Sequence, residues 1–223
     1  MNASSVQPAD VPVVILAGGR GTRLMEETQL IPKPMVTIGG KPILLHIMLY
    51  YSSFGFRRFV LCLGYKGHLI KEYFLHLNKH TSSLVVFSSS GRQEYRPSAI
   101  LDWEISLVET GEHSLTGTRL HQAREYIRAP HFCLTYGDGL ADVDLAKELE
   151  FHLRHGRIGT VTAVHPPSRF GRLDLGDGDS VRSFREKETL RHDYINCGFF
   201  LFKREFLDRL SPTENQSLES QPL

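Results

Sequence analysis

The chain has 223 residues, of which 41% are hydrophobic and 23% are charged, values that are ordinary for a globular protein with one large domain. Its formal net charge of +1 argues against bulk attraction to nucleic acid or to a membrane surface. Residues 1–10 lack a basic region followed by an apolar run, and no stretch approaches the roughly 20 apolar residues of a membrane span. We therefore expect a cytoplasmic protein without a signal peptide or membrane helix.

Strand-like and helix-like segments alternate along the chain, which predicts an α/β fold with a layered sheet. A flexible segment is expected over residues 1–11, followed by one domain over residues 12–223. Strands are predicted at residues 13–16, 58–63, 84–87, 103–108, 132–135, 160–164, 171–175, 181–185 and 194–202. Helices are predicted at residues 42–54, 67–77, 119–128 and 144–155, with Pro42 in the first helical turn and Gly55 as its stop. A polar loop should separate the strands at 84–87 and 103–108.

The first predicted strand, Val13–Leu16, runs into a loop that contains Gly18, Gly19 and Gly21. Glycines admit positive φ and remove side chains, so backbone N–H groups there can surround an anion. Arg23 follows with a planar set of donors suited to phosphate oxygens. Lys33 stands between two prolines that stiffen its loop. The pattern predicts a polyphosphate site, with a glycine-rich turn of no phosphate function as the alternative.

The loop does not match two common nucleotide motifs. No Gly-Lys-Ser/Thr closes it, which excludes a Walker A loop. A dinucleotide fingerprint placed on Gly19 and Gly21 fails at Leu24, and the apolar stretch at residues 43–45 occupies the place of the expected acid. A dehydrogenase is therefore disfavoured.

Asp138 stands between Gly137 and Gly139 directly after the strand predicted at residues 132–135. Ligands of open α/β sheets collect at the carboxyl ends of strands, where a carboxylate can hold a hard cation such as Mg²⁺ beside a phosphate. We expect Asp138 to face the loop at residues 18–21. An ordinary Asp-Gly turn is an equally open interpretation.

Other polar residues are weaker candidates. The loop at residues 110–119 could contact a base and ribose through its backbone, Glu186 and Asn196 could bind hydroxyls, and Lys187 could bind a phosphate. Each of these side chains alone is more typical of a solvated charge or a turn residue than of a ligand. The histidine pairs at 76/80 and 152/155 fit helix surfaces better than a zinc site, and the cysteines at 62, 133 and 197 fit reduced, buried thiols.

Taken together, these segments resemble the sugar-1-phosphate nucleotidylyltransferases over residues 12–223. The resemblance lies in residues 16–24 (LAGGRGTRL), 32–35 (PKPM), 38–44 (IGGKPIL), 64–67 (GYKG), 135–139 (TYGDG), 169–171 (RFG) and 195–196 (IN). Residues 33–35 (KPM), 46–48 (HIM) and 71–74 (KEYF) favour the branch of the family that transfers a cytidylyl group.

The resemblance implies a Rossmann-like nucleotide-diphospho-sugar transferase fold, with a mixed, mostly parallel sheet flanked by helices. It implies CTP and glucose 1-phosphate as substrates, Mg²⁺ as cofactor, and compatibility with a homo-oligomer. The nucleotide would be held by residues Leu16, Ala17, Gly18, Gly19, Arg20, Gly21, Thr22, Arg23, Lys33, Ser114, Arg119 and Gly137. The sugar phosphate would be held by Glu186, Lys187 and Asn196, and the catalytic groups would be Arg23, Lys33 and Asp138, the last also binding the metal.

The chain departs from the family pattern at three positions, with Thr118 and Cys197 in place of glycines and Leu218 in place of a tryptophan. The family also continues past residue 223 with a further strand that carries a second metal-binding aspartate, and with C-terminal helices. We expect the 223-residue chain to bind nucleotide but to turn over slowly. The alternatives are a nucleotide-sugar-binding relative without turnover, and a transferase for another nucleotide or sugar 1-phosphate.

Overall fold

The structure is a computed structural model that describes residues 6–20, 30–97, 101–166, 171–186 and 194–220. Its strands, in chain order, are β1 (Val13–Leu16), β2 (Thr37–Ile38), β3 (Lys41–Pro42), β4 (Arg58–Leu63), β5 (Ser82–Phe87), β6 (Arg92–Pro97), β7 (Glu104–Glu109), β8 (His131–Tyr136), β9 (Gly159–Val164), β10 (Arg172–Leu175), β11 (Val181–Arg185) and β12 (Ile195–Lys203). The described α-helices are α1 (Ile43–Ser53), α2 (Gly67–Leu75), α3 (Leu77–Thr81), α4 (Thr116–Gln122) and α5 (Leu145–His155).

A six-stranded sheet in the order β7-β4-β1-β8-β12-β9 forms the centre of the fold. Strands β7, β4, β1 and β8 are parallel, whereas β12 runs antiparallel to both of its neighbours. Two-residue strands β2 and β3 pair with each other, as do β5 with β6 and β10 with β11. The prediction of an α/β fold with a mixed, mostly parallel sheet is confirmed.

Strand β1 lies in the middle of the sheet and is buried on both faces. Alternate side chains of a strand point to opposite faces, and accordingly Val13 and Ile15 belong to one apolar cluster and Val14 and Leu16 to another. The first cluster includes buried residues of α1, α2 and α5, and the second includes Leu120 of α4. Helices on both faces therefore hold β1 in place and fix where its carboxyl end emerges.

Several predicted elements differ from the structure. Residues 92–97, expected in a polar loop, form β6, which pairs with β5 in an antiparallel hairpin. Both strands are largely solvent-exposed, so the apolar alternation that signals a half-buried strand is missing. The helix expected over residues 67–77 ends at Leu75, and Pro42 belongs to β3 and precedes α1 instead of entering its first turn.

The predicted helix over residues 119–128 begins earlier and is shorter than expected. Helix α4 starts at Thr116 and ends at Gln122, and a 3-10 turn follows at Arg124–Tyr126. At the amino end of the chain, Pro8–Asp10 form another such turn and Val11 is only 1% exposed. The predicted flexible segment includes residues 1–5, which lie outside the described residues.

Two expectations about individual side chains have different outcomes. His152 is buried rather than on the surface, so that part of the prediction is wrong. Cys62 and Cys133 are free and buried, as predicted, whereas free Cys197 is only partly buried. Burial raises the pKa of Cys62 to about 12, which leaves it an unreactive thiol. Among the helices of the described ranges, none has the length and apolar character needed to cross a membrane.

Candidate active site

A cavity of about 270 Å³ lies at the carboxyl ends of β1 and β8. Ligand sites of α/β proteins occupy this edge of the sheet. The cavity is lined by Leu16, Gly18, Gly19, Lys33, Pro34, Ser114, Leu115, Thr116, Arg119, Tyr136 and Asp138. Side chains that are far apart in the sequence therefore meet where the glycine loop begins.

The loop after β1 is anchored at Gly18 and open at Gly19. The carbonyl of Gly18 accepts hydrogen bonds from the backbone of Tyr65 at 3.1 Å and from Nη2 of Arg119 at 2.9 Å. A side chain at position 18 would overlap the Arg119 guanidinium, whereas one at position 19 would meet no atom within 4 Å. Position 18 therefore requires glycine for packing, while the open space at Gly19 suits a bound anion. The predicted ligands Gly21, Thr22 and Arg23 lie outside the described residues.

Lys33 and Asp138 form an ion pair at the mouth of the cavity. Lys33 begins a 3-10 turn, Lys33–Met35, between prolines. The side chains of both partners remain partly exposed. A cation and a carboxylate placed together can take up a phosphate and a divalent cation respectively.

Gly137 allows these groups to approach each other. Its N–H donates to the carbonyl of Leu16 at 3.0 Å, and a Cβ at this position would lie 3.0 Å from that oxygen and 3.2 Å from Cγ of Pro34. Any larger residue would push apart the ends of β1 and β8 and the Lys33 turn. Gly137 thus contributes through close packing, and Asp138 lines the same cavity as Gly18 and Gly19, on the side that the sequence predicted.

The side chain of Arg119 is buried and bonded within the protein, unlike an exposed arginine that only binds phosphate. It is only 4% exposed, and its guanidinium donates five hydrogen bonds within the protein, to the carbonyls of Gly18, Leu63, Gly111 and Glu112 and to Oγ1 of Thr110. Burial lowers its pKa. The residue therefore joins the glycine loop to the loop after β7, and it also lines the cavity.

The loop after β7 forms a second wall. Thr110 donates to the Leu63 carbonyl at 2.6 Å, and Glu112 pairs with Arg20 at 2.6 Å. Ser114, which the resemblance assigns to the nucleotide site, lines the cavity. Arg20, predicted as a nucleotide ligand, engages Glu112 here, so its side chain joins the two loops.

Three residues of this site were missed by the sequence analysis. Tyr136 at the end of β8 donates to Oε1 of Glu219 at 2.6 Å, and Thr116 donates to Oε2 at 2.8 Å. Burial raises the pKa of Tyr136, and the hydrogen bond and charge of Glu219 raise it further. The position of Tyr136, two residues before Asp138, was a usable signal, whereas nothing in the sequence pairs residue 219 with the cavity.

The predicted sugar-phosphate residues are only partly brought to the cavity. The amide Nδ2 of Asn196 lies 3.5 Å from the hydroxyl of Tyr136, and its Oδ1 accepts from the backbone of Gly198 at 2.7 Å. Glu186 is exposed after β11 and is not among the residues that line the cavity. Lys187 lies outside the described residues. Asn196 is therefore the one of these three that the structure places beside the cavity.

The described residues contain no group of three or more His, Cys, Asp or Glu side chains that could hold a metal ion. Asp138 can supply a single carboxylate, which suits Mg²⁺ when substrate phosphates provide further oxygen ligands. A separate cavity of about 210 Å³ lies at the amino ends of β1 and β4, lined in part by Arg58, Tyr126 and Arg128. It includes none of the predicted residues.

Comparisons with known proteins identify the family of the chain. The nucleotidyl transferase family matches residues 12–222. A glucose-1-phosphate cytidylyltransferase of Salmonella typhimurium is 46% identical over 211 residues, which cover 94% of this chain and 81% of that protein. A probable glucose-1-phosphate cytidylyltransferase of Bacillus subtilis is 44% identical over 212 residues, covering 94% and 82%.

Among solved structures, HddC of Yersinia pseudotuberculosis complexed with GMP-PN superposes with a TM-score of 0.65 at 28% identity, over 95% of this chain and 84% of that one. This likeness supports the Rossmann-like transferase fold that the sequence motifs implied.

Proposed function

Because the chain belongs to the nucleotidyl transferase family, we propose that it transfers the cytidylyl group of CTP to glucose 1-phosphate, giving CDP-glucose and pyrophosphate. The choice of CTP and glucose 1-phosphate rests on the two relatives with 46% and 44% identity, of which this chain spans 81% and 82%. The observation that carries the proposal is the single cavity that Lys33, Asp138 and the open Gly18–Gly19 backbone share.

The reaction needs no nucleophilic side chain. A phosphate oxygen of glucose 1-phosphate attacks the α-phosphorus of CTP in line, and pyrophosphate leaves with the electron pair of the broken P–O bond. The second pKa of a phosphate monoester is about 6, so the nucleophile is already a dianion near pH 7. The protein must therefore hold two anions together and stabilise charge as the phosphoryl group transfers.

Lys33 is placed to supply part of that stabilisation. Its backbone is held in a 3-10 turn that follows Pro32, and its ammonium lies beside Asp138, from which it can turn to a phosphate when Asp138 holds a metal ion. Asp138 would hold Mg²⁺, which when bound would offset negative charge on the phosphates. The backbone from Leu16 to Thr22 would bind the triphosphate, with Arg23 as a further cation.

The remaining assignments follow from position in the same cavity or from the motif. Ser114 would contact the nucleoside, and Asn196 the sugar, beside the hydroxyl of Tyr136. Glu186 and Lys187 keep their proposed sugar and phosphate contacts on the motif alone.

A cytoplasmic location is proposed with free Cys62 and Cys133 as its support. A homo-oligomer is likewise proposed, and light scattering coupled to size exclusion would measure it.

The test is pyrophosphate release by the 223-residue chain from CTP, UTP, GTP, ATP and dTTP, each combined with several sugar 1-phosphates. CTP with glucose 1-phosphate should give the highest kcat/KM. Lys33→Met and Asp138→Asn should each lower kcat by about 10²–10³, the usual cost of losing one electrostatic group at a transferring centre. Lys41→Met, at an exposed position of β3, is the matched control and should keep full activity. Better turnover with UTP or dTTP would refute the cytidylyl assignment.

A further inference from the structure

The segment at residues 211–220 packs across the start of α4. The carbonyl of Gln216 accepts from the backbone of Gly117 at 3.0 Å and of Thr118 at 3.2 Å, and Oδ1 of Asn215 accepts from Leu115 at 2.8 Å. No side chain of α4 caps its own amino end. The segment therefore satisfies the helix-start donors that a bound phosphate could otherwise use.

Position 118, where the family pattern has glycine, contributes to this packing. The hydroxyl of Thr118 donates to the carbonyl of Glu214 at 3.1 Å and accepts from the backbone of Gln216 at 2.8 Å. Leu218 is 1% exposed in the apolar cluster beneath α4. The contacts with Thr118 and the burial of Leu218 thus hold the segment on both sides of residue 217. Together they fix the position of Glu219, the next residue in the chain.

Glu219 gathers three hydroxyl donors on one carboxylate. Tyr136 donates to Oε1 at 2.6 Å, Thr116 donates to Oε2 at 2.8 Å, and Ser217 also donates to Oε2. Burial raises the pKa of Glu219, but the hydrogen bonds from Ser217, Tyr136 and Thr116 together leave it below its usual value. The carboxylate is therefore ionised at neutral pH, when hydrogen bonds to it are strongest.

Two of these donors line the cavity from different elements of the fold. Tyr136 ends β8, two residues before Asp138, and Thr116 begins α4, two residues after Ser114. The distance between the walls consequently depends on the carboxylate that both hydroxyls share. Tyr136 also meets Asn196 at 3.5 Å, so the same contact reaches the side of the cavity assigned to the sugar.

We propose that Glu219 is a positioning residue for the nucleotide site, setting the separation of Thr116 and Tyr136 so that the cavity fits the cytidine triphosphate. This inference rests on the proposed function. Glu219 acts through the two hydroxyls and touches no reacting atom. Its charge alone would disfavour a polyphosphate, so removing that charge without moving the walls would tighten binding. The positioning role predicts the opposite sign.

The test compares steady-state kinetics of wild type, Glu219→Gln, Tyr136→Phe and the double variant. The amide of glutamine is neutral and keeps one acceptor oxygen, so Tyr136 and Thr116 can no longer both donate to residue 219, and the charge that strengthens these hydrogen bonds is lost. Glu219→Gln should raise KM for CTP about tenfold and change kcat less than about twofold, because a binding geometry is lost while Lys33 and Asp138 are retained. Tyr136→Phe should raise KM in the same direction.

The double variant should be no worse than Glu219→Gln alone, since both single changes remove one interaction. Glu214→Gln, on the same segment with an exposed side chain, is the matched control and should behave as wild type. An unchanged or lowered KM in Glu219→Gln, or effects that multiply in the double variant, would overturn the proposal.

Two other outcomes need a different variant or a different measurement. If Glu219→Gln does not fold, Thr116→Val replaces it and should show the same rise in KM. If the wild-type chain does not use CTP, the proposed function fails by itself, and the contact is tested by urea unfolding. The double variant should then shift the midpoint no further than Glu219→Gln does, and additive shifts would overturn the contact.

Discussion

Replacing Arg119 by lysine should loosen two loops of the site at once. The guanidinium makes five hydrogen bonds to acceptors in the glycine loop, at the end of β4 and in the loop after β7. An ammonium has three donors on one atom, so at least two of these acceptors lose their hydrogen bond from residue 119. At about 1.5 kcal/mol or more for each bond to a charged group, Arg119→Lys should cost about 3 kcal/mol of the free energy of unfolding.

The assay is urea unfolding at 25 °C together with KM for CTP. KM should rise along with the loss of stability, because the carbonyls of Gly18 and Gly111 are no longer joined through one side chain. Arg124→Lys is the matched control: its side chain pairs with Asp208 at 3.3 Å near the surface and should cost less than about 1 kcal/mol. A stable Arg119→Lys variant with a strongly raised KM would refute this reasoning, since it would make Arg119 a direct ligand of CTP.

Two further predictions concern packing and pH. Gly137→Ala should cost about 1–3 kcal/mol in urea unfolding and lower kcat, because its Cβ would crowd Leu16 and Pro34, whereas Gly139→Ala meets no atom within 4 Å and should unfold like wild type. Burial, with His131, His155 and Lys203 nearby, lowers the pKa of His152 to about 4, below the unfolded value of 6.5, so the neutral form is favoured in the fold. The contribution of His152 to the free energy of unfolding should therefore be fully present above pH 6.5 and should fall by about 3 kcal/mol as the pH drops to 4. His152→Gln should flatten this dependence, and an exposed His68→Gln should not; equal curves for all three proteins would contradict the assignment.

The sequence predicted the framework of the site because its signals are local. An apolar run followed by Gly18 and Gly19, and a buried strand followed by Asp138, each place a group at a strand end. Parallel pairing of β1 with β8 then brings those ends together, which is why Asp138 lines the cavity on the expected side. The polar hairpin strand β6 escaped prediction because its two faces are similarly exposed.

The features of the site that the sequence did not predict depend on contacts between residues that are far apart in the chain. A buried arginine that holds carbonyls and an exposed arginine that binds phosphate look alike in a sequence, so the five internal bonds of Arg119 appeared only in the structure. Glu219 and Tyr136 are 83 positions apart, and no spacing rule links them. His152 stands on an amphipathic helix at a position whose burial depends on how α5 packs.

The most direct test of the account is isotopic. Glucose 1-phosphate labelled with ¹⁸O at all four phosphate oxygens is incubated with CTP and the 223-residue chain, and the products are weighed by mass spectrometry. Direct attack on the α-phosphorus predicts CDP-glucose that retains all four labelled oxygens and pyrophosphate that carries none. Labelled pyrophosphate, or no CDP-glucose, would contradict the transfer of a cytidylyl group to the sugar phosphate.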